Sequence, residues 1–472
     1  MKKYKILILF IILFSYSSTY SADITFSQAL ESLYGTHEGM AQAEADYKQK
    51  EYSKKAALGL YSPRISLNAA YAYFGNDLTM DVDLSPVSNT VNGIFGSLGG
   101  VLTIPLPSIS LPNSMEQVVQ KDQFFTLNAA MIWPVFTGGQ IYAANKAASA
   151  NLDIAKYGKT IRHDELGISL AEKYFTLRFI QDIIALKQDV KDSMQEHYNK
   201  ALKLEKAGML AKVERLHAEM ALSDAEKSLD TSLREAKLVE SALKSMISST
   251  DENINPSTPL FLVKAEDIES LAYFQDMASS SNAKLKQAQT ATKLAHAGVI
   301  NSTSSFIPKI NAFGMVNIYD YQLSSLSPDY MVGVQMSINL FDGLQNYHQL
   351  KSSKTLEEST KLMAARAEKD IRTLVEQQYI TMENARADYN SSLKSLAFAE
   401  EYLRARQKAF NQGMATSLDV VDAELALSNS KMSAIQAAYK FDMALITMLA
   451  TSGMFDNFES YRAKAFVEPG LK

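Results

Sequence analysis

WPVFTGGQ at residues 133–140 and INLFDGLQ at residues 338–345 share the core Phe-x-Gly-x-Gln, and Phe341 stands 205 positions after Phe136. A phrase repeated at a long spacing is the mark of a duplicated structural unit. At the same offset KAGMLAKVERLHAEMAL (206–222) falls on NQGMATSLDVVDAELAL (411–427), pairing Gly208 with Gly413, Met209 with Met414, and Ala218-Glu219 with Ala423-Glu424. Earlier in each half the offset becomes 245, where SPRISLNAAYAY (62–73) meets IPKINAFGMVNI (307–318) and Pro63 meets Pro308. The first half therefore carries about 40 additional residues between its proline and its Phe-x-Gly, an insertion that reads as a loop particular to that half.

Two hydrophobic periods surround these landmarks. In MVGVQMSINL (331–340), Val332, Val334, Met336, Ile338 and Leu340 alternate with Gly333, Gln335, Ser337 and Asn339, the period of a strand with one apolar and one polar face. Leu127, Ala129, Met131, Trp133 and Val135 repeat that row in the first half. Ile65, Leu67, Ala69, Tyr71 and Tyr73 form a third row, and Ile310, Ala312, Gly314, Val316 and Ile318 a weaker fourth. Four strands in two hairpins are predicted, at about 64–136 and about 309–341. Between them the period changes. Residues 140–247 and 345–466 contain no proline, and apolar residues recur at three and four, as in Leu166, Leu170, Tyr174, Leu177, Ile180 and Ile184. Long helical hairpins are predicted at 140–247 and 345–450, each broken once, at Gly208 or Gly413, as at a helix stop and restart. A single helix from Gln140 to Lys206 would run about 100 Å, a length that suits a shaft or tube.

The implied organisation is a signal peptide at 1–22, a first repeat at 23–247 with its long loop at 76–122, a linker or equatorial segment at 248–282 containing Pro256, Pro259 and a short helix or strand, a second repeat at 283–450 and a C-terminal tail at 451–472. The signal reading rests on Lys2, Lys3 and Lys5 ahead of an apolar run at 6–14 that is too short to span a bilayer. Composition agrees with a folded, exported chain: 47% apolar and 21% charged. No cysteine is present, which excludes a disulfide framework, a thiolate metal site and a lipidated N-terminal cysteine. Loss of the three signal lysines takes the net charge from −5 to −8, which argues against a nucleic-acid partner. After residue 14 no stretch approaches a transmembrane helix, so membrane residence has to come from strands.

An alternating strand suits a barrel with lipid outside and water inside, and that barrel has to close because unpaired backbone in hydrocarbon costs several kcal/mol per group. Four strands cannot close alone, since membrane barrels start at about eight. Several chains must contribute, and a cyclic trimer giving twelve strands is the simplest solution. A soluble periplasmic coiled-coil scaffold is the alternative without a membrane. A trimeric adhesin anchor also builds twelve strands from three chains, but with four consecutive C-terminal strands, whereas here helices divide the hairpins.

At this point the chain resembles the TolC-like outer-membrane factors. ITFSQALESLYGTHEGMAQAEADYKQKEYSKKAALGLYSPRISLNAAYAY (24–73) is similar to that family's N-terminal helices running into the first strand, and the Phe-x-Gly-x-Gln copies are similar to its strand-to-helix crossings. The resemblance implies a mixed fold of helices and membrane strands: a trimeric 12-stranded β-barrel, four strands per chain, continued by a long periplasmic α-helical barrel. It implies an outer-membrane exit duct of a tripartite efflux pump or type I secretion system in a Gram-negative cell, working with a periplasmic adaptor protein and an inner-membrane transporter and opened by them.

The resemblance also assigns sites. Asp419 and Asp422, three apart on one helix face, match the acidic positions that narrow the family's duct at its periplasmic tip, and six such carboxylates in a trimer would repel one another and favour bound cations. Glu214 and His217 hold the matching positions of the first half. The family's closed tip uses a tyrosine and an arginine at positions that read Phe410 and Ala415 here, so the lock has to differ. The turns at Gly208, Met209, Gly413 and Met414 match the tips where adaptors dock. Trp133, Met131, Val334, Met336 and Ile338 are expected to face lipid. The six histidines show no ligand spacing, Asp77, Asp81 and Asp83 read as solvated loop acids, and no nucleophile motif, P-loop or HExxH occurs. No metal, cofactor or enzymatic activity is expected.

Overall fold

The computed structural model describes residues 22–102, 110–112, 114–324 and 326–465; apart from Ala22, the signal-peptide segment lies outside the described residues, as do residues 466–472 of the tail. In the first half the elements are β1 (Ala22–Ile24), α1 (Phe26–Thr36), α2 (Glu38–Leu58), β2 (Arg64–Tyr73), β3 (Leu78–Asp83), α3 (Ser85–Leu102), β4 (Ser114–Gln120), β5 (Gln123–Phe136), α4 (Gln140–Lys206) and α5 (Lys212–Met246). The second half has β6 (Ile254–Pro256), α6 (Leu271–Ser281), α7 (Ala283–Thr303), β7 (Lys309–Tyr321), β8 (Tyr330–Ser337), α8 (Gln345–Asn411), α9 (Ser417–Thr451) and α10 (Phe458–Arg462). Helices α4 and α8 are both 67 residues long, and α5 and α9 are both 35. The duplication announced by two short phrases therefore holds to the residue across the helices.

The chain forms two compact units. One takes residues 51–149 and 293–357. Its centre is an antiparallel sheet in the order β2-β5-β7-β8, with β2 and β8 as open edges. The register brings the alternating rows onto one face: Ile65, Met131, Gly314 and Val332 lie side by side, as do Leu67, Ala129, Val316 and Tyr330, and Trp133, Ala312 and Val334. Among the described residues nothing covers the outer members of these rows; Ile65 is 73% exposed and Val332 75%. The opposite face carries a polar ladder at Asn68, Asn128 and Asn317, with Asn68 Nδ2 donating to Asn128 Oδ1 at 3.2 Å.

Two bulges amend the predicted rows. The register shift between Leu127 and Asn128 skips Ile318 and sets Tyr319 opposite Leu127, and the shift between Pro134 and Phe136 sets Phe136, not Val135, opposite Ile310. The second bulge sits beside the one residue of β5 that has no N–H to give a ladder. Ile338 also departs from expectation. It follows the end of β8, because its would-be partner strand begins only at Lys309, after Pro308.

The Phe-x-Gly-x-Gln copies perform the same manoeuvre. Gly138 and Gly139 have φ of 62° and 95°; Gly343 and Leu344 have φ of 67° and 68°. In each copy the residue after the phenylalanine caps the new helix: Thr137 Oγ1 accepts from the Ile141 N–H at 3.2 Å, and Asp342 Oδ2 accepts from the Asn346 N–H at 3.0 Å. Glycine is required at 138, where a Cβ would lie 2.8 Å from Ile307 Cβ. Leu344 takes the left-handed conformation with a side chain, which costs about 1–2 kcal/mol.

Trp133 donates its indole N–H to the Tyr61 carbonyl at 3.0 Å and stands in the apolar row. In lipid-reconstituted protein its fluorescence is expected to be quenched by bromine carried on the acyl chains; insensitivity would place that row toward water.

The insertion predicted as a loop at 76–122 is more ordered than its glycines suggest. β3 and β4 form a hairpin, and α3 lies between them. Val87, Val91, Phe95 and Leu98 recur at helical spacing there, which outweighs the roughly 1 kcal/mol that each of Gly93 and Gly96 costs relative to alanine. Residues 103–109 and 113 lie outside the described residues. The three acids read as solvated are engaged separately: Asp77 pairs with Lys121 at 3.1 Å, Asp83 Oδ1 accepts from the Ser85 N–H at 2.8 Å, and Asp81 lies within β3.

The other unit takes the chain up to Lys50, Ala150–Thr292 and the part from Glu358 onward. Its core joins Phe26 of α1, Tyr174 and Phe175 of α4, Leu445 and Leu449 of α9, and Phe458 of α10. Residues 248–282, expected to be a linker, are part of that core: Ile254, Phe261, Leu262, Val263 and Phe274 are buried, and β6 pairs in parallel with β1. The apolar run at 260–263 was hidden by the prolines that flank it on one side.

Candidate constriction at the paired helical turns

Both helical hairpins turn by the same backbone device. Gly208 (φ 73°) and Gly413 (φ 72°) each follow a long helix. The Met209 N–H reaches back to the Leu204 carbonyl, and the Met414 N–H to the Ala409 carbonyl, each at 2.9 Å. This six-to-one bond closes the helix and needs the left-handed residue that glycine supplies. Met209 and Met414 are 74% and 70% exposed, and a Cβ added at either glycine would meet open space. The four tip residues singled out in the sequence are thus an uncovered surface of this chain.

The restart is where the copies diverge. In the second copy Thr416 caps α9: its hydroxyl accepts from the Asp419 N–H at 3.2 Å, while Asp419 Oδ2 accepts from the Thr416 N–H at 2.8 Å. This is a reciprocal capping box. Arg406 of α8 adds an ion pair to Asp419 Oδ1 at 3.4 Å. Hydrogen bonds from the Thr416 backbone and hydroxyl, then Arg406, hold the Asp419 carboxyl below its ordinary range.

In the first copy the cap position is Ala211, which has no hydroxyl. Glu214, equivalent to Asp419, is therefore not drawn back into a box. It reaches across to the other repeat, where its Oε2 accepts from the Ser417 N–H at 2.7 Å. Ser417 is fully buried, and its Oγ lies 2.7 Å from His197 Nε2 of α4. The His197 ring packs edge-on against Phe410, with centroids 4.8 Å apart. The first residue of α9 is thus gripped by two side chains of the first repeat.

A family model described as outer membrane efflux protein matches residues 275–454, the segment that holds β7, β8, α8 and α9. Alkaline protease secretion protein AprF of Pseudomonas aeruginosa is 23% identical over 317 residues, which cover 62% of this chain and 62% of AprF. The chain thus spans less than two thirds of that curated relative's length. Among solved structures, the outer membrane protein VceC of Vibrio cholerae matches with a TM-score of 0.71 at 16% identity, over 90% of this chain and 96% of VceC. The open-state MtrE outer membrane channel of Neisseria gonorrhoeae matches with a TM-score of 0.70 at 16% identity, over 91% of this chain and 89% of MtrE. The family model covers the second half of the chain, and there the chain is similar to the outer membrane efflux proteins. At these identities the likeness to the solved channels is one of fold alone: a four-stranded sheet and two pairs of long helices per chain.

The predicted site residues divide into two groups. Asp422 and His217 line one cleft of about 480 Å³ between α4, α5 and α9, walled by Val190, Met194, Met220, Val421 and Leu425 and rimmed by Lys187 and Asp224. Asp419 and Glu214 instead serve the N-terminus of α9. The i, i+3 spacing placed both aspartates on one face, and the capping box turned one of them back onto the chain. Sequence reasoning missed Arg406, Ser417 and His197. Arg406 was legible in principle, as a basic residue two turns before Gly413 that can meet an acid just after it; the other two owe their roles to packing between repeats. Among the described residues no three His, Asp or Glu side chains form a cluster suited to a metal ion, and no helix is long and apolar enough to cross a membrane.

Proposed function

We propose that this chain is the outer-membrane exit duct of a tripartite efflux pump or type I secretion system: a passive homotrimer whose three sheets close a twelve-stranded barrel and whose long helices enclose a periplasmic passage. The observation that carries the reading is the four-stranded sheet with two open edges and an uncovered apolar face assembled in register from all four strands. Open edges of that kind are tolerated in lipid only when other strands complete them. The helices that leave the sheet supply no energy source, so opening depends on partners: an adaptor docking at the tips around Met209 and Met414, and an inner-membrane transporter. The name of the AprF relative, a protease secretion protein, favours a type I secretion system and a protein cargo.

Asp419 and Asp422 are the proposed constriction. Because Asp419 is also the N3 partner of the α9 capping box, alanine there would remove its hydrogen bond to the Thr416 N–H along with the charge. Asparagine keeps an acceptor for the Thr416 N–H and removes only the charge. Purified protein is expected to run as a trimer and to form a low-conductance pore in planar bilayers, and the Asp419→Asn, Asp422→Asn double variant is expected to raise conductance and weaken block by divalent cations. Monomer mass without conductance would overturn the duct reading. Trimeric pores with unchanged conductance and block would overturn only the constriction.

A further inference from the structure

The grip on Ser417 has a titratable member. His197 is 8% exposed and lines a small cavity of about 130 Å³. The groups facing that cavity are Glu196 and Lys200 on α4 and Glu424 on α9, with Glu214 of α5 bonded to the same serine from the other side; α8 contributes Gln407, Phe410 and Asn411, none of which titrates. A neutral imidazole suits this place, because its Nε2 shares one hydrogen bond with the Ser417 hydroxyl while its ring stacks edge-on against Phe410. An imidazolium there has to give up most of its hydration.

We propose that His197 is an acid-sensitive latch on the second helical turn: neutral, it holds the first residue of α9 against α4, and protonated, it lets go. Burial, and Lys200 one turn away, push the imidazole below its ordinary value, while the Ser417 hydrogen bond and Glu214 pull the other way without reversing the direction. Release therefore falls below the ordinary imidazole range. Protonation also sets Glu214 between two claims, since a cationic His197 competes with the Ser417 N–H for the same carboxylate. Losing either contact loosens the N-terminus of α9, which carries Asp419 and Asp422. The latch is a property of the chain; its consequence, a turn that yields in acid at the end of the duct, rests on the function proposed above.

Hydrogen exchange in the full-length protein tests it, read on the peptide that contains the second turn and the start of α9 and corrected for intrinsic rates. On going from about pH 7.5 to about pH 4, through the ordinary imidazole range and below it, wild type is expected to lose at least about tenfold of its protection there. His197→Gln, which still hydrogen-bonds Ser417 but does not titrate, is expected to hold the same protection at both values. Ser417→Ala, which removes the shared hydroxyl, is expected to show low protection at both. Wild-type protection that ignores pH, or a His197→Gln variant that loses protection as wild type does, overturns the latch. Planar-bilayer conductance separates the two readings: a rise on acidification in wild type alone joins the latch to the duct, whereas an exchange response with flat conductance leaves the latch standing and counts against the duct's gate at this turn.

Discussion

Replacing Tyr174 by alanine is expected to unseat the N-terminal segment and the segment after α5 together, with the largest loss of stability of any substitution considered for this chain. Tyr174 is fully buried in α4, with its ring edge-on to Phe26 at 5.4 Å and Phe175 at 5.3 Å. Its hydroxyl donates to the Ile24 carbonyl at 2.7 Å and accepts from the Thr258 N–H at 2.9 Å. Thr258 in turn accepts from the Phe26 N–H at 3.0 Å through its own hydroxyl. One side chain therefore ties down both strands of the β1–β6 pair at their C-terminal ends, and the pair, with three residues per strand, cannot sustain itself. Truncation of a buried aromatic costs about 3–5 kcal/mol. Tyr174→Phe keeps the ring and leaves the buried Thr258 N–H unpaired, at about 1–3 kcal/mol, while the Ile24 carbonyl keeps the Ser257 N–H. Thermal unfolding of the full-length protein, followed by helical circular dichroism, should rank wild type above Phe and Phe above Ala. Equal losses for Phe and Ala would assign the effect to the hydroxyl alone, and no loss for either would mean that this seat unfolds independently of the helices.

What the sequence disclosed, and what it did not, follows the range of the interactions involved. Period-two rows and proline-free helical stretches are local, so four strands and two pairs of long helices could be read directly, down to the change of course after Phe136 and Phe341. The register that aligns Ile65 with Met131, Gly314 and Val332 is non-local, and the four rows by themselves did not give it. Bulges defeated the pattern at Ile318 and Val135, since a single skipped residue leaves composition unchanged. The segment at 248–282 read as a linker with a short helix or strand, and its burial was not legible because Pro256 and Pro259 mark turns whether or not the apolar residues after them are buried. At the tips, Gly-Met announced the turns, but the absence of a hydroxyl at Ala211, which sends Glu214 across to Ser417, has meaning only when the two copies are compared position by position.

That comparison also shows how a duplicated chain escapes its own symmetry. Thr416 and Ala211 are equivalent, as are Asp419 and Glu214, and Asp422 and His217. The second copy satisfies its helix start within itself, and the first lends its acid to the second. The two turns share a backbone and differ in what holds them, so a force applied equally to both would move one before the other.

Asp442 sets the remaining large expectation, and its sign depends on pH. The residue lies in α9, fully buried; Oδ2 accepts from the Phe261 N–H at 3.2 Å, and Oδ1 has no hydrogen-bond partner among the described residues. Burial drives its carboxyl well above the ordinary value of 3.8, and the Phe261 N–H offsets that only in part. Below the unfolded value both states are protonated and the residue carries no penalty. As pH rises past it, the unfolded chain ionises while the folded one stays neutral, so stability falls until the folded value is passed. Asp442→Asn is neutral throughout and keeps an acceptor for Phe261. It is expected to raise the thermal midpoint of the full-length protein at about pH 8, with the gain shrinking to nothing toward about pH 4. Asp442→Leu removes the same titration but leaves the Phe261 N–H unpaired, at about 1–3 kcal/mol, and should gain less than asparagine at the higher pH. A constant difference between Asn and wild type across that range would show that Asp442 ionises alike in both states, and would send the search for this chain's alkaline sensitivity elsewhere.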